Sequence, residues 1–147
     1  MSFIEKITLI IILFLISLTA VNAEDSMDNT IKMKINDNVF DVKLENNSAT
    51  NELIKYLEKG NITVNASDYS GFEKVGLLGF SLPTNDENIN TKPGDIMLYQ
   101  GDQISLFYNP HSWSYTKLGK IKNKTDDEIK EILGNGNIDI IFYIEKD

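Results

Sequence analysis

Two residue types are missing from this chain of 147 residues: it has no cysteine and no arginine, so all 14 of its basic residues are lysines. Without cysteine there is no disulfide, no thiol nucleophile, no zinc–thiolate site and no cysteine for a lipid anchor. Without arginine the chain lacks the planar fork of donors that binds carboxylates and phosphates. The single histidine, His111, forms no catalytic triad or metal-ligand pattern by spacing. We therefore expect no metal and no cofactor.

Positive charge is also scarce, and the formal net charge is −8. The acidic residues are spread along the chain rather than grouped in one tail. Such a surface repels nucleic-acid backbones and anionic membranes, so we expect neither as a partner. We interpret the acidity as a source of solubility rather than as a site for cationic ligands.

The N-terminal segment is typical of a secretory signal peptide. An almost unbroken apolar run, Ile7–Leu18, is too short to span a bilayer comfortably. Val21 and Ala23 then occupy the −3 and −1 positions of a small-residue cleavage site. We predict a signal peptide over residues 1–23 and a secreted or cell-envelope protein. The weakly charged start of the segment leaves an uncleaved N-terminal anchor as the alternative.

The rest of the chain predicts a short linker, residues 24–29, and one mainly β domain, residues 30–147. Apolar residues alternate with polar ones in several short runs, which is the pattern of half-buried strands. These predicted strands are residues 30–36, 39–44, 61–66, 96–99, 104–108, 115–121 and 137–145. Helical spacing and caps predict two short helices, over 51–59 and from Thr125 to about Leu133. Six or seven strands without a βαβ rhythm indicate an antiparallel sheet that curls into a closed or flattened barrel.

Residues 67–93 are rich in Gly, Asn, Asp, Ser and Pro and show few regular runs. A segment of this length in a compact domain is usually functional or carries small strands of its own. We expect it to cover one edge of the barrel as a lid.

Five short motifs occur in an order that resembles the small prokaryotic cyclophilin-like proteins. The most informative are the GDIMLY run at 94–99 and the SYTKLG run at 114–119. The others are D-x-x-G-x-E-K at 68–74, SLPT at 81–84 and L-G-x-G-N at 133–137. None is specific alone, but together they cover most of the mature chain. The resemblance implies a cyclophilin-like barrel.

The same resemblance implies less about activity. Cyclophilins proper are peptidyl-prolyl isomerases, in which an arginine hydrogen-bonds near the prolyl nitrogen and weakens the amide resonance that makes rotation slow. The stretch that stands nearest to the family's arginine motif is Lys74–Phe80, which contains no arginine. Lysine replaces a planar fork of donors poorly. Isomerase activity of the usual kind is therefore not expected.

Aromatic residues are dense between positions 80 and 115 and suggest a ligand groove on the barrel wall. The candidate ligand-binding residues are Phe80, Tyr99, Phe107, Trp113, Tyr115 and Lys117. For Tyr99 and Phe107 the alternative, packing inside the barrel, is favoured. For Trp113, in a predicted loop, anchoring a ligand and a plain surface position are equally well supported. The strand register is unknown, so the shared odd numbering does not by itself place these residues on one face.

The sequence thus predicts an exported, monomeric barrel that binds a peptide segment or a small ligand and has no catalytic residues. The alternative is a weak prolyl isomerase in which Lys117 or Lys74 acts with Tyr115. A third interpretation is a structural envelope domain that binds nothing small. We interpret His111 as a solvated loop residue. Glu73, beside Lys74, is a candidate site residue, but an exposed charge pair is usually plain surface, and we favour that interpretation.

Overall fold

The computed structural model describes residues 29–146. The predicted signal peptide, and all of the predicted linker except its last residue, lie outside the described residues. Nine strands and two helices follow one another along the described chain. The strands are β1 (Thr30–Ile35), β2 (Asn38–Leu44), β3 (Ile62–Tyr69), β4 (Glu73–Leu77), β5 (Glu87–Asn90), β6 (Asp95–Tyr99), β7 (Gln103–Phe107), β8 (Ser112–Ile121) and β9 (Ile138–Tyr143). The helices are α1 (Ser48–Lys59) and α2 (Asp126–Leu133).

Eight of the strands form a closed barrel in which every strand pairing is antiparallel. The order around the barrel is β2-β1-β9-β3-β4-β7-β6-β8, and pairing of β2 with β8 closes it. The closure confirms the predicted cyclophilin-like barrel with two short helices. It also removes the free edges that an open sheet of this size would expose.

The strand β5 lies outside this ring. Within the described chain it pairs only with the first half of β8, where Ile89 stands opposite Trp113. The second half of β8 turns into the barrel and pairs with β6 across a β-bulge next to Met97. The long strand β8 therefore connects the barrel wall to an outer two-stranded ribbon.

The predicted strand count was too low because two strands, β4 and β5, lie in the segment 67–93. In β4 the residue that points into the barrel is Lys74, so the strand lacks the apolar alternation that marks the others. In β5 only Ile89 is buried. The segment therefore carries small strands of its own, and it does not form a single long loop.

Both helices begin at a capping box. The Asn47 side chain accepts from the backbone N–H of Thr50 at the start of α1, and the Thr125 side chain accepts from that of Glu128 at the start of α2. In each case the third helical residue returns a hydrogen bond to the N-cap backbone, so two otherwise unpaired N–H groups are satisfied. The caps fix where each helix starts, and α1 then packs Leu53 and Leu57 into the core.

The apolar side chains divide between the two faces of the barrel wall. The main cluster fills the interior and includes Met33, Ile35, Val64, Leu98 and Ile140, each fully buried. A second, smaller cluster lies on the outer face. It consists of Ile89, Met97, Phe107 and Tyr115, with the half-buried Phe72 and Tyr99 packed against it. This outer cluster is the floor on which the candidate site is built.

Lys74 is an exception among the interior residues because it brings a charge into the barrel. Its side chain has no exposed surface, and its Nζ lies 3.1 Å from the Asp68 carboxylate. It also donates to the carbonyl oxygens of Gly134, at 3.1 Å, and Gly136, at 2.5 Å. All three hydrogens of the ammonium group therefore have acceptors, and they tie β4 to the turn between α2 and β9.

Candidate functional site

The alternation of side chains along β4, β6, β7 and β8 builds the outer face. On β7, Ile104 and Leu106 point into the barrel, so Ser105 and Phe107 point outward. The register then places Met97 of β6 and Val75 of β4 opposite Ser105, and Glu73 of β4 opposite Phe107. Three neighbouring strands thus present one continuous outer surface.

A cavity of about 490 Å³ opens on this surface. Its lining combines five aromatic rings and a histidine with one carboxyl group. The lining residues are Tyr69, Ser70, Phe72, Glu73, Val75, Tyr99, Gln103, His111, Trp113 and Tyr115. They come from the β3–β4 hairpin, from β6 and β7, and from the start of β8 together with His111, which directly precedes it. A concave shape and a mainly apolar wall are features that ligand pockets share, so this cavity is the candidate site.

Ring contacts hold the aromatic wall together. Phe72 stacks on His111, with ring centroids 3.9 Å apart, and meets Tyr69 edge to face at 5.7 Å. On the floor, Tyr115 meets Phe107 edge to face at 5.3 Å and lies tilted against Tyr99 at 6.0 Å. The three wider contacts fall within the roughly 4.5–7 Å between ring centroids that aromatic pairs favour, and the Phe72–His111 stack is closer.

Hydrogen bonds fix the loop that carries His111. The buried Thr91 hydroxyl donates to the His111 carbonyl oxygen at 2.9 Å and accepts from the His111 N–H at 3.0 Å. The Asn109 side chain donates to the carbonyl oxygen of Gly71 at 2.8 Å. The β3–β4 hairpin and the loop before β8 are thereby joined, and the wall of the cavity is preorganised.

Glu73 is the residue of this site with the most unusual environment. Only 7% of its surface is exposed, and its Oε2 is buried with no hydrogen-bond partner among residues 29–146. The Ser105 hydroxyl, on the same face, is buried and equally unpartnered within those residues. Burial raises the pKa of Glu73; the nearby Ser105 hydroxyl acts in the opposite direction, although their contact falls short of a hydrogen bond.

The pKa of Tyr115, which lines the same cavity as Glu73, is also shifted by its surroundings. Burial raises the pKa of Tyr115, and electrostatic interaction with Glu73 and Tyr99 raises it further. Tyr115 is therefore a neutral phenol at any physiological pH. The site contains a carboxyl group surrounded by neutral rings and hydroxyl groups, with no lysine among the described residues that line the cavity.

Three of the six residues proposed from sequence come together in the cavity, and three do not. Tyr99, Trp113 and Tyr115 line it, and Trp113 is 58% exposed at the rim. Phe107 is fully buried beneath Tyr115 in the outer cluster, so it supports the floor without lining the cavity.

The other two proposed residues lie elsewhere. Phe80 stacks on Tyr56 of α1 at a centroid distance of 3.8 Å and packs against the main core. Lys117 is exposed, and its Nζ lies 3.6 Å from the Glu87 carboxylate. The expected lid centred on Phe80 is therefore not part of this cavity.

The sequence interpretation missed two residues of the site. Glu73 was taken for a surface charge and His111 for a solvated loop residue, but both line the cavity. Glu73 lies in the segment 67–93, for which no strand was predicted, so no local pattern indicated the direction of its side chain. Lys74, weighed as a catalytic donor, points to the opposite face of β4 and is fully engaged inside the barrel.

Residues 29–146 contain neither a metal-binding cluster nor a membrane-spanning helix. No group of three or more acidic or histidine side chains in this range is placed so that it could hold a metal ion. No helix in this part of the chain is both long and apolar enough to cross a membrane.

These observations define the protein as a small closed antiparallel β-barrel with a cavity on its outer face. A family model described as the Cyclophilin-like family matches residues 33–143, from within β1 to the end of β9. The chain therefore belongs to the cyclophilin-like family, as its motifs indicated. No curated protein and no solved structure matches it. Membership of the family establishes the fold and leaves the ligand and the reaction open.

Proposed function

We propose that this protein is an exported binding domain that holds a peptide segment or a small ligand in the outer-face cavity. The observation that carries the proposal is the cavity itself, a concave aromatic wall around one buried carboxyl group. Its volume of about 490 Å³ falls within the roughly 300–1,000 Å³ that is usual for ligand pockets. The proposed ligand-contacting residues are Tyr99, Trp113 and Tyr115, joined by Phe72, Glu73 and His111.

The exposure of Trp113 supports the proposal. Because its ring is 58% exposed, Trp113 contributes little to the stability of the fold, and it offers a large apolar surface to a ligand. The wall beside it is held by the Thr91–His111 hydrogen bonds, so binding would cost little ordering of the loop.

Intrinsic fluorescence provides the test, because Trp113 is the only tryptophan of the chain. The purified domain, residues 24–147, is titrated with a library of short peptides and of aromatic small molecules. We expect saturable changes in Trp113 emission for a subset of them. Tyr99→Ala is expected to weaken every such response, because it removes part of the wall.

Phe80→Leu provides the matched control. Phe80 is an aromatic residue of the same sequence region, but it packs on Tyr56 and does not line the cavity. We expect this variant to bind as the wild type does. If no library member changes the emission, or if Tyr99→Ala and Phe80→Leu alter binding equally, the cavity is not the binding site.

The alternative function is weak prolyl isomerase activity. The placement of the lysines disfavours it, since Lys74 faces the barrel interior and Lys117 is paired with Glu87 away from the cavity. A protease-coupled proline isomerisation assay decides the matter. Turnover above the uncatalysed rate that is lost in Lys117→Ala or Tyr115→Phe would support the enzyme and displace the binding domain.

A further inference from the structure

The chemistry of the cavity floor indicates what kind of group the proposed ligand presents. Glu73 Oε2 and Ser105 Oγ are two buried oxygen atoms without a hydrogen-bond partner in the described chain, and they lie on one face of neighbouring strands. Leaving such acceptors unpaired is unfavourable, so native structures nearly always satisfy them. Of the two residues, Glu73 lines the cavity, so a donor supplied by a ligand would satisfy its carboxyl group.

The walls above these oxygens favour a positively charged donor. Tyr99, Trp113 and Tyr115 line the cavity, and Phe72, which also lines it, lies stacked on His111. The negative face of an aromatic ring attracts ammonium and guanidinium groups, most strongly where water is excluded. A carboxylate at the base of an aromatic cage is the arrangement that combines both attractions.

No lysine of the described chain already fills this role, since none lines the cavity. The nearest in sequence, Lys74, is held inside the barrel by Asp68 and two carbonyl oxygens. Lys117 lies against Glu87. The net charge of −8 adds a general field that attracts cations to the protein surface.

We propose, on the basis of the binding function above, that the cavity recognises a cationic group, a primary ammonium or a guanidinium, which donates to the Glu73 carboxylate between the aromatic walls. The ligand is then a basic small molecule, or a peptide that inserts a lysine or arginine side chain or its free amino terminus.

The proposal also gives a direction for the effect of pH. Binding weakens as the pH falls, because protonation removes the charge of Glu73, whose pKa is raised by burial. The other titratable groups that line the cavity are Tyr69, Tyr99, Tyr115 and His111. Of these, Tyr115 has a pKa that burial raises, so it stays a neutral phenol as the pH falls.

Two probes of nearly equal shape test the proposal: 2-phenylethylamine, which is cationic at neutral pH, and 2-phenylethanol, which is neutral. Both are titrated into the domain by calorimetry and by NMR of the Trp113 side chain. We expect the amine to bind at least about tenfold more tightly than the alcohol. In Glu73→Gln, which keeps the shape and removes the charge, we expect the two affinities to become equal.

The control variant is Glu58→Gln, which removes one negative charge from the exposed face of α1. It should retain the preference for the amine, so a preference lost in both variants would show a general field effect and overturn the specific role of Glu73. Equal binding of both probes, or a preference for the alcohol, overturns the cationic ligand and leaves the binding function standing. If neither probe, nor any member of the wider library, perturbs Trp113, both proposals fail together.

Discussion

Glu73 and Lys74 are neighbours in the chain, yet their charged groups lie on opposite sides of the barrel wall. Glu73 lines the outer cavity with one oxygen unpartnered in the described chain, whereas the Lys74 ammonium lies inside the barrel with three acceptors. The alternation of a β-strand separates them, so the two charges do not neutralise each other. Glu73 therefore belongs to the lining of the outer cavity, and Lys74 serves the fold.

The role of Lys74 predicts a loss of stability when its charge is removed. We expect Lys74→Met to lower the free energy of unfolding by about 2 kcal/mol or more, because Asp68 and two carbonyl oxygens lose their donor. Lys117→Met is the matched control, since Lys117 and its partner Glu87 are both exposed. That variant should change stability by less than about 1 kcal/mol. Urea unfolding followed by circular dichroism measures both, and equal effects would contradict the distinction.

The burial of Glu73 leads us to expect that Glu73→Gln stabilises the protein, by an amount that depends on pH. Its folded-state pKa is raised above the ordinary value of 4.5, so the folded state binds the proton more tightly than the unfolded state. The contribution of Glu73 to stability is therefore greatest below 4.5 and declines as the pH rises through the folded-state pKa. We expect Glu73→Gln to gain stability relative to the wild type across that window.

The measurement for this prediction is urea unfolding of both proteins at several pH values, from acidic to neutral. The difference in unfolding free energy, variant minus wild type, should increase with pH and then level off. A difference that decreases with pH would mean that the fold stabilises the Glu73 carboxylate, which is the opposite of the effect expected from its burial.

Substitution of Trp113 should affect mainly ligand affinity, whereas substitution of Phe107 should affect mainly the stability of the fold. Trp113→Ala removes a mostly exposed ring, so we expect a change in stability below about 1 kcal/mol together with a loss of ligand affinity. Phe107→Ala opens a hole in the outer cluster and should cost about 3–5 kcal/mol of stability. Thermal unfolding and calorimetric titration with a binding probe check the pair. If Trp113→Ala binds as tightly as the wild type, Trp113 is not a ligand contact.

Most of the fold could be predicted from the sequence, because most strands carry their own apolar alternation. The hairpin of β1 and β2 and the strand β9 are examples, since one face of each fills the barrel. The capping box at Thr125 likewise predicted the start of the second helix correctly. β4 and β5 could not be found in this way. One turns a lysine inward, and the other has a single buried residue and pairs only at the rim.

The site was only half predictable because it depends on register and on contacts between distant segments. Tyr99, Trp113 and Tyr115 were indicated by the density of aromatic residues between positions 80 and 115, and all three line the cavity. Phe80 has the same local signal but meets Tyr56 of α1, a contact that nothing in the sequence reveals. Glu73 is buried because it lies opposite Phe107 in the sheet. The strand register that places it there cannot be predicted from the local sequence pattern.

The predicted export has its own test, which does not depend on the cavity. When the full chain is produced in a bacterium, the exported protein should begin at Glu24, since cleavage is predicted after Ala23. Mass spectrometry of the intact protein from the cell envelope or the medium gives the answer. A protein that keeps residues 1–23 would indicate the N-terminal anchor instead.

The most direct measurement of the central claim is NMR mapping of a bound probe on the assigned domain. On titration with 2-phenylethylamine, we expect chemical-shift changes to concentrate around the cavity, at Glu73, Tyr99, His111, Trp113 and Tyr115, and to leave Tyr56 and Phe80 unchanged. The changes should weaken strongly in Glu73→Gln. Shifts that concentrate elsewhere on the barrel, or that persist undiminished in Glu73→Gln, would contradict a cation site in the outer-face cavity.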